Sequence, residues 1–128
     1  MIRVGIIGCG RISVLHAAAY HHFDEAQIVA IADPDPAIRA MRGDAWGVAE
    51  TARYAEAGEL LTQGDVDMVE VLVPHNLHEQ IAEQAAAAGK HIALQKPMAM
   101  DLDEADRVIA TAAGAGVTLK IFENFVFY

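Results

Sequence analysis

Short apolar stretches alternate with segments of helical pattern along the whole chain. Five of these stretches have the length and the β-branched content of buried strands: Ile2–Ile7, Gln27–Ala32, Met68–Val73, His91–Leu94 and Thr118–Phe122. A helical pattern follows each of the first four. Strands that alternate with helices in this way build a parallel sheet covered by helices on both faces. The pattern therefore predicts an α/β domain with a doubly wound parallel sheet.

Capping signals indicate where the later helices begin. Asn76 and Glu79 have the spacing of a capping box, in which two side chains satisfy the free N–H groups of a helix start. Asp101 and Glu104 repeat the same spacing. Glycines and a first-turn proline mark other helix ends. Helices are accordingly predicted over Pro36–Trp46, over Ala57–Gln63 (closed by Gly64), from the Asn76 cap to near Gly89, and from the Asp101 cap to near Gly114–Gly116.

The first strand runs directly into a glycine turn at residues 8–10. Gly8 permits the tight turn, and Gly10 carries no side chain, so a pyrophosphate can approach the backbone. The next helix begins at Arg11 and Ile12, and its free N–H groups and dipole would face that anion. Ser13 replaces the third glycine of the G-x-G-x-x-G fingerprint, but the strand before the turn and the helix after it supply the expected context. The segment is interpreted as a Rossmann-type dinucleotide-binding turn.

Asp33 closes the second predicted strand. An acid at this position can accept hydrogen bonds from both hydroxyls of the adenosine ribose. Its charge repels a 2′-phosphate at close range, which costs several kcal/mol. NAD is therefore the predicted cofactor, and NADP is less favoured. The alternative is a loop aspartate that caps the next helix.

Two polar clusters follow the later strands, at residues 74–78 and 95–97. Ligands of open α/β sheets bind beyond the carboxyl ends of the strands, so the candidate cofactor contacts here are Pro74, Asn76, His78, Gln95 and Lys96. Asn76 can instead serve only as a helix cap, and His78 can simply pack in the interior. Lys96 can donate a hydrogen bond to a substrate or act as a general acid. Its alternative is a surface lysine in a proline turn.

Charge and cysteine content exclude several classes of function. The formal net charge is −9, from 18 acidic and 9 basic residues, and this excess disfavours nucleic acid and anionic membranes as partners. No apolar run is long enough to span a bilayer. Cys9 is the only cysteine, so a reducing, cytoplasmic location is expected. The histidines lack the spacing of metal ligands, and no metal site is predicted.

Together these segments resemble the N-terminal domain of the Gfo/Idh/MocA oxidoreductases, the family of glucose–fructose oxidoreductase and inositol dehydrogenase. The resemblance covers essentially the whole chain and keeps its order. The matching stretches are residues 4–10, Ala32-Asp33, Glu59-Leu60-Leu61, Asp65-Val66-Asp67, residues 74–78, Ala88-Gly89-Lys90-His91 and Gln95-Lys96-Pro97.

The resemblance implies roles for individual positions. Lys96 would be the family's lysine near the nicotinamide and the substrate. Gln95 would replace the family glutamate that contacts ribose, and its amide still hydrogen-bonds hydroxyls but carries no charge. Asn124 would be the asparagine near the nicotinamide. Family members carry a second domain that binds substrate and forms the oligomer interface. Residues 1–121 are therefore interpreted as the dinucleotide-binding domain, and residues 122–128 as the start of a connection to a substrate domain that this chain lacks.

The function predicted from this resemblance is hydride transfer between nicotinamide and a hydroxyl or carbonyl carbon of a sugar-like or cyclitol-like small molecule. Without the substrate domain, the chain by itself is expected to be inactive. One alternative is a non-catalytic dinucleotide-binding or self-associating module. Another is a different NAD-dependent reaction on the same fold, such as lyase or glycosidase chemistry. The aromatic residues Phe122, Phe125, Phe127 and Tyr128 predict self-association, so a homo-oligomer is expected.

Overall fold

A computed structural model describes residues 1–122 of the chain. Its strands are β1 (Ile2–Ile7), β2 (Ala26–Ala32), β3 (Arg53–Tyr54), β4 (Met68–Val71), β5 (His91–Gln95) and β6 (Leu119–Phe122). Its α-helices are α1 (Arg11–Tyr20), α2 (Pro36–Trp46), α3 (Ala57–Gln63), α4 (His78–Ala87) and α5 (Leu102–Ala115). The predictions for Asn124 and for the aromatic residues after Phe122 lie outside the described residues.

The six strands form one parallel sheet in the order β3-β2-β1-β4-β5-β6. After β1 the chain builds outward to β3, and it then returns to place β4 on the other side of β1. The order of the strands therefore reverses between β1 and β4, which opens a crevice at their carboxyl ends. Ile7 is in register with Ala32 on one side and with Val71 on the other. The predicted doubly wound, Rossmann-type sheet is confirmed.

Two hydrophobic cores cover the two faces of the sheet. One core joins the sheet to α3, α4 and α5, and Leu60, Ile81 and Val108 are among its members. The other lies under α1 and α2 and includes Ile6 and Ala17. The near-continuous apolar sequence of the central strands is explained by this burial on both faces. Within residues 1–122, no helix is long and apolar enough to cross a membrane.

Several local predictions are confirmed to the residue. β1, α2 and α3 have the expected bounds. The Asp101 carboxylate accepts the Glu104 N–H at 2.8 Å, as the capping signal indicates. Gly116 ends the same helix in a left-handed conformation, with φ of 69°.

The prediction that Asn76 caps α4 is wrong. Residues 75–77 instead form a short 3₁₀ turn, in which the Leu77 N–H donates to the Pro74 carbonyl at 3.0 Å. Leu77 is the residue at the cap position, and no side chain caps the helix there. The Glu79 carboxylate does not bind the helix start, because it forms an ion pair with Arg107 of α5. A tertiary ion pair therefore replaces the predicted local capping box.

Two strand assignments differ from the sequence prediction by more than one residue. β4 ends at Val71 rather than Val73, because the chain turns toward the crevice after pairing with Ile7. The strand β3 was not predicted. It has only two residues, which pair with Ile31 and Ala32 of β2. A strand of that length leaves no periodic pattern in the sequence.

Candidate functional site

A crevice of about 810 Å³ opens at the carboxyl ends of β1, β2, β4 and β5. Eight of the eleven candidate residues line it: Gly8, Gly10, Arg11, Ile12, Asp33, Pro74, Gln95 and Lys96. Asn76 and His78 are not among the lining residues, whereas His75 and Leu77 are. Asn124 lies outside the described residues. The fold thus gathers residues from four separate segments of the chain around one cavity.

Gly8 is required by the backbone of the turn. Its φ is +94°, a conformation that residues with a side chain rarely adopt. A Cβ placed there would lie 2.8 Å from both the carbonyl carbon and the carbonyl oxygen of Leu72. The Gly8 N–H also donates to the Ala32 carbonyl at 2.9 Å. Gly8 therefore lets the turn pass close against the neighbouring strand ends.

Gly10 differs from Gly8 because no contact among the described residues requires a glycine there. Its φ is −70°, and a Cβ at this position would meet no atom of residues 1–122 within 4 Å. The residue occupies the N-cap of α1, and no side chain caps that helix. The space beside Gly10 is thus open to a ligand, and the start of α1 offers N–H groups and a positive dipole end to an anion.

Ser13 shows how the chain tolerates the loss of the third fingerprint glycine. Its side chain is fully buried, and its hydroxyl donates to the Gly10 carbonyl at 2.5 Å. A small side chain whose hydroxyl is satisfied by its own helix start fits the narrow space between α1 and the sheet. The substitution therefore leaves the glycine turn intact.

Asp33 is half-buried, and two backbone groups fix its carboxylate. Oδ2 accepts the Cys9 N–H at 2.9 Å, and Oδ1 accepts the Asp35 N–H at 2.9 Å. Arg39 donates to the Asp33 carbonyl at 2.7 Å. The residue that caps α2 is Asp35, which accepts from Ala37 and Ile38. Asp33 is therefore free of the capping role and is held rigidly at the wall of the crevice.

Cys9 packs between the glycine turn and β2. Its side chain is fully buried, and Sγ lies 3.8 Å from the Ala32 carbonyl oxygen. Burial, together with the nearby charge of Asp33, raises the pKa of the thiol to about 12. The thiol is therefore protonated near neutral pH, and Cys9 acts as a small apolar filler.

His78 connects the two loops on the far side of the crevice. It is fully buried, with Nδ1 2.8 Å from the Pro97 carbonyl oxygen and Nε2 3.1 Å from the Val73 carbonyl oxygen. These contacts tie the loop after β4 to the turn after β5. Of the two interpretations of His78 offered by the sequence, its position favours interior packing.

Gln95 and Lys96 end β5 at the crevice. The Gln95 side chain is buried, and its Oε1 accepts the Lys96 backbone N–H at 2.8 Å. Lys96 is half-buried, and the peptide bond that joins it to Pro97 is cis. The lysine thus stands at the carboxyl end of β5, where the sequence predicted it.

A buried polar cluster beside Gln95 was missed by the sequence analysis. It consists of His16 and Tyr20 of α1 and Glu70 of β4. Glu70 is only 3% exposed, yet it stands in the otherwise apolar sequence of β4. A charged residue inside a buried strand was the available signal, because such a residue needs partners.

The strand order, the glycine turn, the open start of α1 and the acid after β2 together define a dinucleotide-binding domain. The chain belongs to the Gfo/Idh/MocA oxidoreductase family with an NAD-binding Rossmann fold, whose family profile matches residues 2–123. The resemblance noted from the sequence is thereby confirmed.

The relatives of this chain include a sugar dehydrogenase and a cyclitol dehydrogenase. D-apiose dehydrogenase of Paraburkholderia graminis is 35% identical over 120 residues, which cover 94% of this chain and 32% of the relative. Myo-inositol 2-dehydrogenase of Thermotoga maritima is 34% identical over 119 residues, covering 92% of this chain and 35% of the relative. The chain thus spans about a third of the length of the curated relatives it matches.

Solved structures show the same fold. The WlbA dehydrogenase of Bordetella pertussis, in complex with NADH and UDP-GlcNAcA, superposes with a TM-score of 0.88 at 34% identity. The match covers 94% of this chain and 37% of the WlbA chain.

Proposed function

We propose that this chain is the cofactor domain of an NAD-dependent dehydrogenase whose substrate is a sugar-like or cyclitol-like molecule. The observation that carries the proposal is the single crevice that collects Gly8, Gly10, Asp33 and Lys96. Relatives that oxidise apiose and inositol support the substrate class.

The residues on the glycine-turn side fit the pyrophosphate and the adenosine ribose of the cofactor. The open space at Gly10 and the uncapped start of α1 would receive the pyrophosphate. Asp33 would accept hydrogen bonds from the adenosine ribose. Because two backbone N–H groups hold its carboxylate, Asp33 cannot easily turn away from a 2′-phosphate. This rigidity favours NAD over NADP.

Lys96 would act on the substrate at the other end of the crevice. NAD supplies the hydride chemistry when it is bound. In the reduction direction, the Lys96 ammonium would donate a hydrogen bond to the substrate carbonyl oxygen and polarise it. In the oxidation direction, the neutral Lys96 amine would receive the proton of the substrate hydroxyl. Gln95, Pro74 and the other lining residues would shape the pocket around it.

The cofactor preference is tested by calorimetric titration of NADH and NADPH into three proteins: wild type, Asp33→Ala and Asp35→Ala. We expect wild type to bind NADH at least about tenfold more tightly than NADPH, since close like-charge contacts cost several kcal/mol. Asp33→Ala should lose most of that difference.

Asp35→Ala is the matched control. It removes the same charge from the same loop, but it keeps the backbone N–H that holds Asp33. The control should keep the preference for NADH, although it loses about 1 kcal/mol of stability with its cap. Equal affinities of wild type for the two nucleotides would refute the role of Asp33.

Turnover is tested separately from binding. We expect the 128-residue chain to bind NADH but to show no steady oxidation of sugars or cyclitols, because the rest of each relative would supply the substrate pocket. Steady turnover that is lost in Lys96→Ala would show that this domain suffices.

We also propose that the chain forms a homo-oligomer. β6 ends the sheet and pairs only with β5 among the described strands, and unpaired strand edges invite pairing with another chain. The aromatic tail (Phe125, Phe127 and Tyr128) follows this edge in the sequence and would add the apolar contact that a stable dimer needs. Sedimentation of the 128-residue chain should therefore reveal a dimer that a chain ending at Glu123, which keeps β6 but lacks the tail, does not form. Two monomeric species at high micromolar concentration would exclude this role of the tail.

A further inference from the structure

His16 lies between two buried side chains that come from neighbouring strands. Its Nδ1 is 3.1 Å from Glu70 Oε2 on β4, and its Nε2 is 3.3 Å from Gln95 Nε2 on β5. Tyr20 donates its hydroxyl to Glu70 Oε1 at 2.6 Å. The ring of Phe122 packs edge-on against the His16 ring, with 4.9 Å between the centroids. The imidazole is therefore fixed in position and in orientation.

The hydrogen bonds allow only one arrangement of protons. Gln95 Oε1 already accepts the Lys96 N–H, so the amide presents its N–H donors to His16. His16 Nε2 must then be an acceptor without a proton, and the proton resides on Nδ1, where Glu70 accepts it. Burial and the Glu70 charge raise the pKa of Tyr20, which keeps its hydroxyl a donor.

The geometry points to His16 as a positioning residue of the nucleotide site. Held by Glu70 as the Nδ1–H tautomer, it orients the Gln95 amide so that the amide oxygen stays on the Lys96 backbone. The function of this arrangement rests on the proposed role of the crevice. Gln95 lines the crevice and Glu70 does not. The neutral amide of Gln95 therefore faces the ligand, and His16 separates the Glu70 carboxylate from it.

The same network predicts what exchanging the two side chains would do. In the double variant Glu70→Gln with Gln95→Glu, the new carboxylate would accept both the Lys96 N–H and a proton on His16 Nε2. The new amide at position 70 would accept from Tyr20 and donate to His16 Nδ1. Every hydrogen bond is kept, but the imidazole proton moves from Nδ1 to Nε2.

The single variants have different expected outcomes. Gln95→Glu places a carboxylate on each side of His16, so the imidazole should carry protons on both nitrogens. Glu70→Gln places an amide N–H donor on each side of His16. A neutral imidazole has only one acceptor nitrogen, so one of the two amides must turn over and present its oxygen instead. Glu70→Gln should therefore be the least stable of the three. His16, Tyr20 and Glu70 also line a second groove, of about 430 Å³, and the other ionisable side chains that line it among residues 1–122 are His91 and Lys120.

The experiment is heteronuclear NMR of the histidine rings in carbon- and nitrogen-labelled, 128-residue protein at neutral pH, with the His16 ring assigned by through-bond correlation to its own backbone. We expect the Nδ1–H tautomer in wild type, the Nε2–H tautomer in the double variant and two protonated nitrogens in Gln95→Glu. Glu79→Gln is the matched control, since its carboxylate pairs with Arg107 and should leave His16 unchanged. A wild-type proton on Nε2, or a double variant that keeps the proton on Nδ1, would overturn the proposal. The wild-type result needs no variant to fold.

A binding measurement separates this inference from the proposed function. The nicotinamide ring of NAD⁺ carries a positive charge that NADH lacks, so a carboxylate at position 95 should shift the preference toward NAD⁺ several-fold. The double variant should show the full shift, Gln95→Glu should show a smaller one because the charged imidazole lies beside the new carboxylate, and Glu79→Gln should show none. If neither NAD⁺ nor NADH binds wild type, the proposed function is wrong, whereas the tautomer result is unaffected. Binding without the shift would remove the role of position 95 in the site.

Discussion

The substitution Gly10→Ala separates what the fold needs from what the ligand needs. Gly10 has a φ that alanine adopts without strain, and an added Cβ meets no atom of the described part of the chain within 4 Å. The same Cβ projects into the space where a pyrophosphate would approach the start of α1. The substitution therefore perturbs only the proposed cofactor, and the folded protein should accommodate it.

The expected magnitudes follow from two opposing effects on stability and one effect on binding. Alanine reduces the entropy of the unfolded chain, which stabilises by about 0.4–1 kcal/mol. Alanine is also a poorer N-cap than glycine by a similar amount. The free energy of unfolding should therefore change by less than about 0.5 kcal/mol. An extra methyl group in a filled contact costs about 1–3 kcal/mol, so NADH should bind roughly 5- to 150-fold more weakly.

The assay is calorimetric titration with NADH, combined with urea unfolding of both proteins. Gly114→Ala is the matched control, because a Cβ there also meets no described atom within 4 Å but lies in α5, away from the crevice. This control should gain about 0.5–1 kcal/mol of stability and keep the wild-type affinity. Unchanged NADH affinity in Gly10→Ala would refute the placement of the pyrophosphate at this turn. Loss of stability by more than about 2 kcal/mol would refute the claim that the fold does not need this glycine.

Three further outcomes are expected. Gly8→Ala should lose about 3 kcal/mol or more in urea unfolding, because it combines a positive φ with contacts of 2.8 Å to the Leu72 backbone; a loss below about 1 kcal/mol would contradict this reasoning. Cys9 should react with thiol reagents only as fast as the protein unfolds, because burial raises its pKa to about 12; rapid labelling of folded protein would argue against it. The Arg3 guanidinium holds the pKa of Asp67 well below its usual range. The ionised pair therefore stabilises the folded protein fully at pH values above the usual carboxyl pKa of about 3.9. The stability advantage of wild type over Asp67→Asn should shrink as the pH falls through that range, and an advantage that grows toward acid would have the wrong sign.

The sequence alone determined the features that depend on neighbouring residues. The first strand and the glycine turn occupy adjacent positions, so the tight turn and its ligand space could be predicted without knowing the rest of the fold. The Asp101 cap was predictable for the same reason, since its partner Glu104 is three residues away. The alternation of strands and helices predicted the parallel sheet, because period and length report how each segment is buried.

Only the tertiary structure decided the features that depend on distant partners. Glu79 binds Arg107, 28 residues away, and this contact replaced the predicted capping box. His16 is 54 residues from Glu70 and 79 residues from Gln95, so no spacing in the sequence could reveal the network that they form. The physical reason is that a buried polar side chain takes whichever partner the packed strands bring within about 3 Å. The sequence thus marks which residues need a partner, and the fold selects the partner.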